Sequence, residues 1–216
     1  MANKLYYVHD PMCSWCWGFH PQWQALKIAL AQRFNDQLEI VNVVGGLAED
    51  SLEPMPESMQ RAIQGYWRDI QSQLGTEFNF DFWTLNTPRR STFESCRATL
   101  AITYQCNSAE EKTTAQNAMI DTIQRAYYLR AMNPSDVEVL SVLAEELGFD
   151  RERFKADMIS EQLAKEFDRQ LQLARSLPID GFPSLVIEVD GVNHKIPRDY
   201  HNHEPMLLTI EAFLAG

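Results

Sequence analysis

Asp10-Pro11-Met12-Cys13-Ser14-Trp15-Cys16-Trp17-Gly18-Phe19 separates two segments of opposite character. In front of it, Lys4-Leu5-Tyr6-Tyr7-Val8-His9 is short and rich in β-branched and aromatic residues, which predicts a strand. Behind it, Trp23, Leu26, Ile28, Leu30 and Phe34 recur through a segment with few breakers, which predicts a helix of about five turns. Two cysteines two residues apart thus fall where a strand hands over to a helix. The spacing places Cys13 exposed at the helix N-terminus and Cys16 about one turn inward, shielded.

The first turn of a helix has backbone N–H groups with no internal partner, and its summed peptide dipoles give a partial positive charge there. An ordinary thiol, with a pKa near 8.5, is only slightly ionised at neutral pH. Cys-x-x-Cys motifs at helix N-termini carry thiols shifted to roughly 3.5–7.5. Each unit of such a shift stabilises the thiolate by about 1.4 kcal/mol. The reading that follows makes Cys13 the attacking sulfur and Cys16 the resolving one, with Ser14 and Trp15 tuning the redox potential. Inert packing of two buried cysteines is the plain alternative. A zinc site is a third, but it needs a second ligand pair. Cys96 and Cys106 are distant and have no matching histidine pair, so no metal is expected. Cys96 reads as a small buried hydrophobe and Cys106 as unassigned.

The chain has 216 residues, with 19 Lys+Arg against 30 Asp+Glu and a net charge of −11. That balance argues against nucleic acid and anionic membrane as partners. No apolar run approaches the roughly 18 residues that span a bilayer. Met1-Ala2-Asn3-Lys4 leads into the first strand without an apolar stretch or a small-residue cleavage site, so a cytoplasmic location is expected. Structural disulfides are rare there, which favours a cysteine pair that cycles.

Leu38–Val44, ended by Gly45-Gly46, predicts a second strand, parallel to the first across the helix. The cysteines then lie at the carboxyl end of the first strand, where open α/β sheets place their chemistry. A long region without strand signal follows. Helices are expected at Glu57–Leu74, from an opening at Pro88-Arg89-Arg90-Ser91-Thr92 through Cys96, Leu100 and Tyr104, at Glu110–Met132, from Pro134-Ser135-Asp136 with Ser135 as N-cap to Gly148, after Asp150 as cap, and over Ser160–Ser176. Phe78, Phe80, Phe82 and Trp83 read as rings capping a core, with a groove beside the cysteines as the other reading. Strand signal returns at Ser184–Val189, an Asp190-Gly191 turn and Val192–Ile196, and a helix over Glu204–Leu214 closes the chain.

The order is β-α-β, a block of helices, then β-β-α. It predicts an α/β fold in which residues 1–47 and 178–216 form one domain and 48–177 an inserted all-helical one. His9 has two readings, a proton acceptor or pKa-tuning partner for Cys13 and a structural hydrogen bonder, of which the second is preferred. Asp10 reads as a charge suited to the first helical turn, one that opposes thiolate formation if it approaches Cys13.

The decapeptide at residues 10–19, together with Gly181-Phe182-Pro183-Ser184-Leu185-Val186, resembles the DsbA-like branch of the thioredoxin superfamily, and within it the FrnE-like group of disulfide oxidoreductases. The element order matches as well, so the likeness spans nearly the whole chain. The resemblance implies a thioredoxin-like fold and a protein-disulfide oxidoreductase working on protein or peptide thiols. It implies that Pro183 is cis and faces Cys13 and Cys16, and that the Phe182 backbone pairs with an extended substrate, with Trp15 as a further binding residue. No cofactor is implied, although glutathione can serve as thiol co-substrate. A cytoplasmic member meets a reducing glutathione pool and is expected to act as a reductase or thiol-responsive protein. Two alternatives stand beside this. One is a glutathione-dependent transferase or isomerase of the kappa or hydroxychromene-carboxylate type, which shares the helical insertion but usually lacks the cysteine pair. The other is a redox-sensing adaptor without turnover.

Overall fold

Strand β1 (Asn3–His9) is one of the two inner strands of a four-stranded sheet, in a computed structural model that describes residues 3–34 and 37–215. Met1, Ala2, Asn35, Asp36 and Gly216, which belong to the expected segments 1–47 and 178–216, lie outside the described residues. Helix α1 (Ser14–Phe34) returns the chain to β2 (Leu38–Val44), which pairs parallel with β1, Leu5 opposite Ile40. Strand β3 (Ser184–Val189) pairs antiparallel with the other side of β1, and β4 (Val192–Ile196) adds to β3 through a turn at Asp190-Gly191. Both turn residues have positive φ, 51° and 78°, as a two-residue hairpin loop requires. The strand order is β2-β1-β3-β4.

Alternation along β1 sends Leu5 and Tyr7 to one face and Tyr6 and Val8 to the other. Leu5 and Tyr7 pack on Phe19, Trp23, Leu26 and Leu30 of α1 and on Met206, Leu207 and Ile210 of the closing helix α9 (Glu204–Ala215). Tyr6 and Val8 join Val43 and Val186 against Ala174 and Leu177 at the end of α8 (Glu161–Ser176). The sheet is covered on both faces, which is why β1 reads as a nearly continuous apolar run.

Between β2 and β3 lie α2 (Glu57–Leu74), the short α3 (Phe82–Leu85), α4 (Phe93–Ala101), α5 (Ala109–Tyr128), α6 (Val137–Glu146), α7 (Arg151–Met158) and α8. Ser108, Asp150 and Ser160 cap α5, α7 and α8, and Gly75 ends α2 at φ 69°. The expected capping rings are found. Phe78 and Phe82 are buried around Trp67 with Tyr127 and Tyr128, while Phe80 and Trp83 pack at the edge of that cluster. Among the described residues no helix is long and apolar enough to cross a membrane.

Four expectations change. The helix with Cys96 ends at Ala101, and Tyr104 lies in a 3-10 turn over Ile102–Gln105. α5 stops at Tyr128 rather than running to Met132. Asn79 N–H donates to Tyr128 O at 2.6 Å, the Asn79 and Asn86 amides donate to Leu129 O and Ala131 O, and Ala131 turns left-handed at φ 54°. The N-cap of α6 is Asp136, because the Ser135 hydroxyl donates to Ser91 O at 2.6 Å. Ile28, expected among the apolar positions of α1, is 61% exposed.

Candidate functional site

The sequence sets Cys13 at the residue before α1, with its N–H donating to Asp10 O (3.0 Å) and its carbonyl accepting from Trp17 N–H (3.1 Å). Cys16 is the third helical residue. Both thiols are free, and they lie within reach of one another. Cys16 is wholly buried. That burial pushes its thiol well above the ordinary range, and the adjacent Cys13 sulfur adds to the effect. Cys13 is not exposed as expected: only 6% of it reaches solvent, because it sits at the bottom of a cleft rather than on the surface.

The opposite wall is the loop before β3. Phe182–Pro183 is a cis peptide, and the Cys13 thiol donates to Phe182 O at 3.6 Å. Arg198, which the sequence reading did not single out, holds this loop. Its guanidinium donates to Pro183 O and to Ser184 Oγ (3.0 Å) and pairs with Asp180 (3.1 Å). The Phe182 ring packs against Gly45, where a Cβ would stand 2.0 Å from it. Trp15 lines the cleft and meets Tyr200 edge-on at 5.3 Å, and Ser14 lines the cleft beside it.

The rest of the motif ties the site to its surroundings. Trp17 donates to Glu77 O (3.0 Å) and stacks on Tyr128 at 5.7 Å. Gly18 lets α1 approach α2, since a Cβ would stand 2.9 Å from Ile70. Asp10 differs most from its sequence reading. It is fully buried and accepts four hydrogen bonds, from Met12 N–H (2.8 Å), Leu47 N–H (2.7 Å), Thr92 Oγ1 (2.6 Å) and Cys96 Sγ (3.4 Å). Burial pushes its carboxyl up, and the Thr92, Leu47, Met12 and Cys96 bonds pull against that. Cys96, expected as a plain hydrophobe, is therefore one of its donors, and burial raises that thiol well above the ordinary range.

His9 is not the hydrogen bonder expected. Both ring nitrogens are buried without a partner among the described residues, and the ring stacks on Tyr7 at 4.9 Å. Burial lowers its pKa to about 3, so the ring is neutral and cannot hold a thiolate as a cation. The sign of the consequence is fixed. The unfolded chain takes up this proton near 6.5, whereas the folded one resists it until about 3. Stability from His9 is thus complete above pH 6.5 and falls by about 1.4 kcal/mol per pH unit below it. Urea unfolding of wild type and His9→Phe at pH 7, 5.5 and 4.5 should show a shallower acid decline in the variant. Parallel declines would contradict the buried neutral ring.

The cleft holds about 610 Å³ and runs between the cysteine turn, α2 and the Phe182 loop. A groove of about 640 Å³ between β2, α5 and α8 is slightly larger, but its lining, which mixes Glu, Lys and Arg with Thr and Tyr, contains no cysteine.

Comparison with known proteins agrees with this geometry. A solved structure of a candidate protein disulfide isomerase from Nitrosomonas europaea superposes with a TM-score of 0.82 at 24% identity, covering 100% of this chain and 98% of that one. The cytosolic disulfide reductase DsbM from Pseudomonas aeruginosa superposes with a TM-score of 0.75 at 24% identity, over 98% of each chain. Among curated proteins, the ClpXP adapter protein SpxH of Halalkalibacterium halodurans is 23% identical over 209 residues, and that of Bacillus subtilis 23% over 204. The matches take in 93% and 91% of this chain, which spans only 64% and 63% of those relatives' length. The family described as Thioredoxin matches residues 6–197. With that span matched and a β-α-β … β-β-α sheet carrying a helical insertion, the chain belongs to the thioredoxin family and has the DsbA-like form of its fold.

Proposed function

We propose that this protein is a thiol-disulfide oxidoreductase in which Cys13 attacks and Cys16 resolves. One observation carries the reading: the Cys13 thiol, at the residue before α1 and on the wall of an open cleft, lies 3.6 Å from the carbonyl that precedes a cis proline, with the buried Cys16 thiol within its reach. The Cys13 sulfur, as thiolate, attacks one sulfur of a substrate disulfide, forms a mixed disulfide and expels the other substrate half as a thiolate. Cys16 then attacks Cys13 Sγ. Its proton passes to the second departing sulfur, and the protein is left with a Cys13–Cys16 disulfide. Two electrons have moved to the substrate, and two external thiols restore the pair.

Phe182 and Pro183 present backbone to an extended substrate, and Trp15 forms part of the same rim. Glutathione as the restoring thiol is supported by the solved DsbM structure with GSH, a relative of 23% identity and TM-score 0.74. A cytoplasmic setting and the FrnE-like grouping go with the proposal. The test is insulin reduction by dithiothreitol, which the wild type should accelerate and Cys13→Ala should not. Equal rates with and without the wild-type protein would defeat the reading.

A second reading, a redox-sensing adaptor without turnover, is favoured by the SpxH relatives, which are described as ClpXP adapter proteins. It predicts a Cys13–Cys16 disulfide that forms reversibly with no acceleration of insulin reduction.

A further inference from the structure

The chain carries 11 more negative than positive charges, yet the wall of the cysteine cleft has no carboxylate and two arginines, Arg89 and Arg90. Arg89 is committed to structure: it donates to Ser135 O (2.7 Å) and pairs with Asp136. On the α4 side Asp50 and Glu94 are committed too, since both pair with Arg97 at 2.8 Å. Asp10, behind the wall, is fully buried and saturated by its four donors. Arg90 is left half-buried, lining the cleft that holds Cys13, with no hydrogen bond or ion pair to any described residue. Holding an unpaired guanidinium there is costly for folding alone, and its fork of donors matches a carboxylate. The apolar side of the same cleft, Met12, Met55, Met59 and Ile63, suits the body of a short peptide.

We propose that Arg90 is a substrate-positioning residue that pairs with a carboxylate carried by the thiol or disulfide substrate, so that the cleft selects anionic partners. This rests on the exchange reading above, and the experiment separates the two. Reduction kinetics are measured for glutathione disulfide, which carries carboxylates, and for neutral 2-hydroxyethyl disulfide, with wild type, Arg90→Gln and Arg90→Lys. A matched pair of short peptide disulfides, with Glu or Gln beside the cysteine, forms the second arm.

The ratio of kcat/KM for glutathione disulfide to that for the neutral disulfide should fall about ten-fold in Arg90→Gln, through KM, and Lys should restore most of it. A fall in the Glu-to-Gln peptide ratio with the glutathione ratio unmoved assigns the carboxylate to a protein side chain; the reverse assigns it to a small thiol. If Arg90→Gln leaves both ratios unchanged, the proposal is overturned while the exchange reading stands. If the wild type reduces none of these disulfides, the exchange reading itself has failed and takes the proposal with it.

Discussion

Cys13→Ser should lower disulfide reduction by about three orders of magnitude or more, because a hydroxyl at that position is un-ionised at neutral pH and no other sulfur can take its place. Cys16 is wholly buried behind it, Cys96 is buried among the helices and donates to Asp10, and Cys106 lies at the end of the 3-10 turn. Cys16→Ser should lose turnover as well but keep the first half of the reaction. Stopped assays with a chromogenic disulfide distinguish them: a stoichiometric release of leaving thiol from Cys16→Ser, and none from Cys13→Ser. A burst of equal size from both variants would mean that another cysteine attacks.

The second large effect is on stability. Asp10 joins three separate pieces of chain: the turn before α1 through Met12, the segment after β2 through Leu47, and the start of α4 through Thr92 and Cys96. Removing the carboxylate strands buried donors, each at a cost of about 1–3 kcal/mol. Asp10→Ala should therefore lose about 3–5 kcal/mol in urea unfolding, a large part of a typical domain's stability. Asp10→Asn keeps the shape but turns one acceptor into a donor facing other donors, so a loss of about 1–3 kcal/mol is expected. A loss below 1 kcal/mol in Asp10→Ala would show that these bonds are replaced by water at no net cost.

The contrast between these two residues shows what the sequence made legible. Cys13 and Cys16 declare themselves locally: their spacing, the strand before them and the helix after them are all within one short stretch. The hairpin at Asp190-Gly191 and the cap at Asp150 are equally local and come out as expected. Asp10 is different. Three of its four partners lie 37, 82 and 86 residues away, and nothing beside it in sequence announces them. Ser135 reads as a cap but is not one for the same reason, since its hydroxyl donates to Ser91 O, 44 residues distant. Arg198 and Arg90 escape notice because loop-to-loop contacts and a shared cleft wall have no period to detect. His9 was read by what its nitrogens can do, whereas stacking on Tyr7 and burial decide its state.

Cys13 is proposed as the sulfur that meets substrate and Cys16 as the one that releases it. Incubating Cys16→Ala with glutathione disulfide, quenching with acid and mapping the modified peptide tests this directly. One glutathione per chain, held on Cys13, is expected. An unmodified chain, or an adduct found on Cys96 or Cys106 instead, would contradict it.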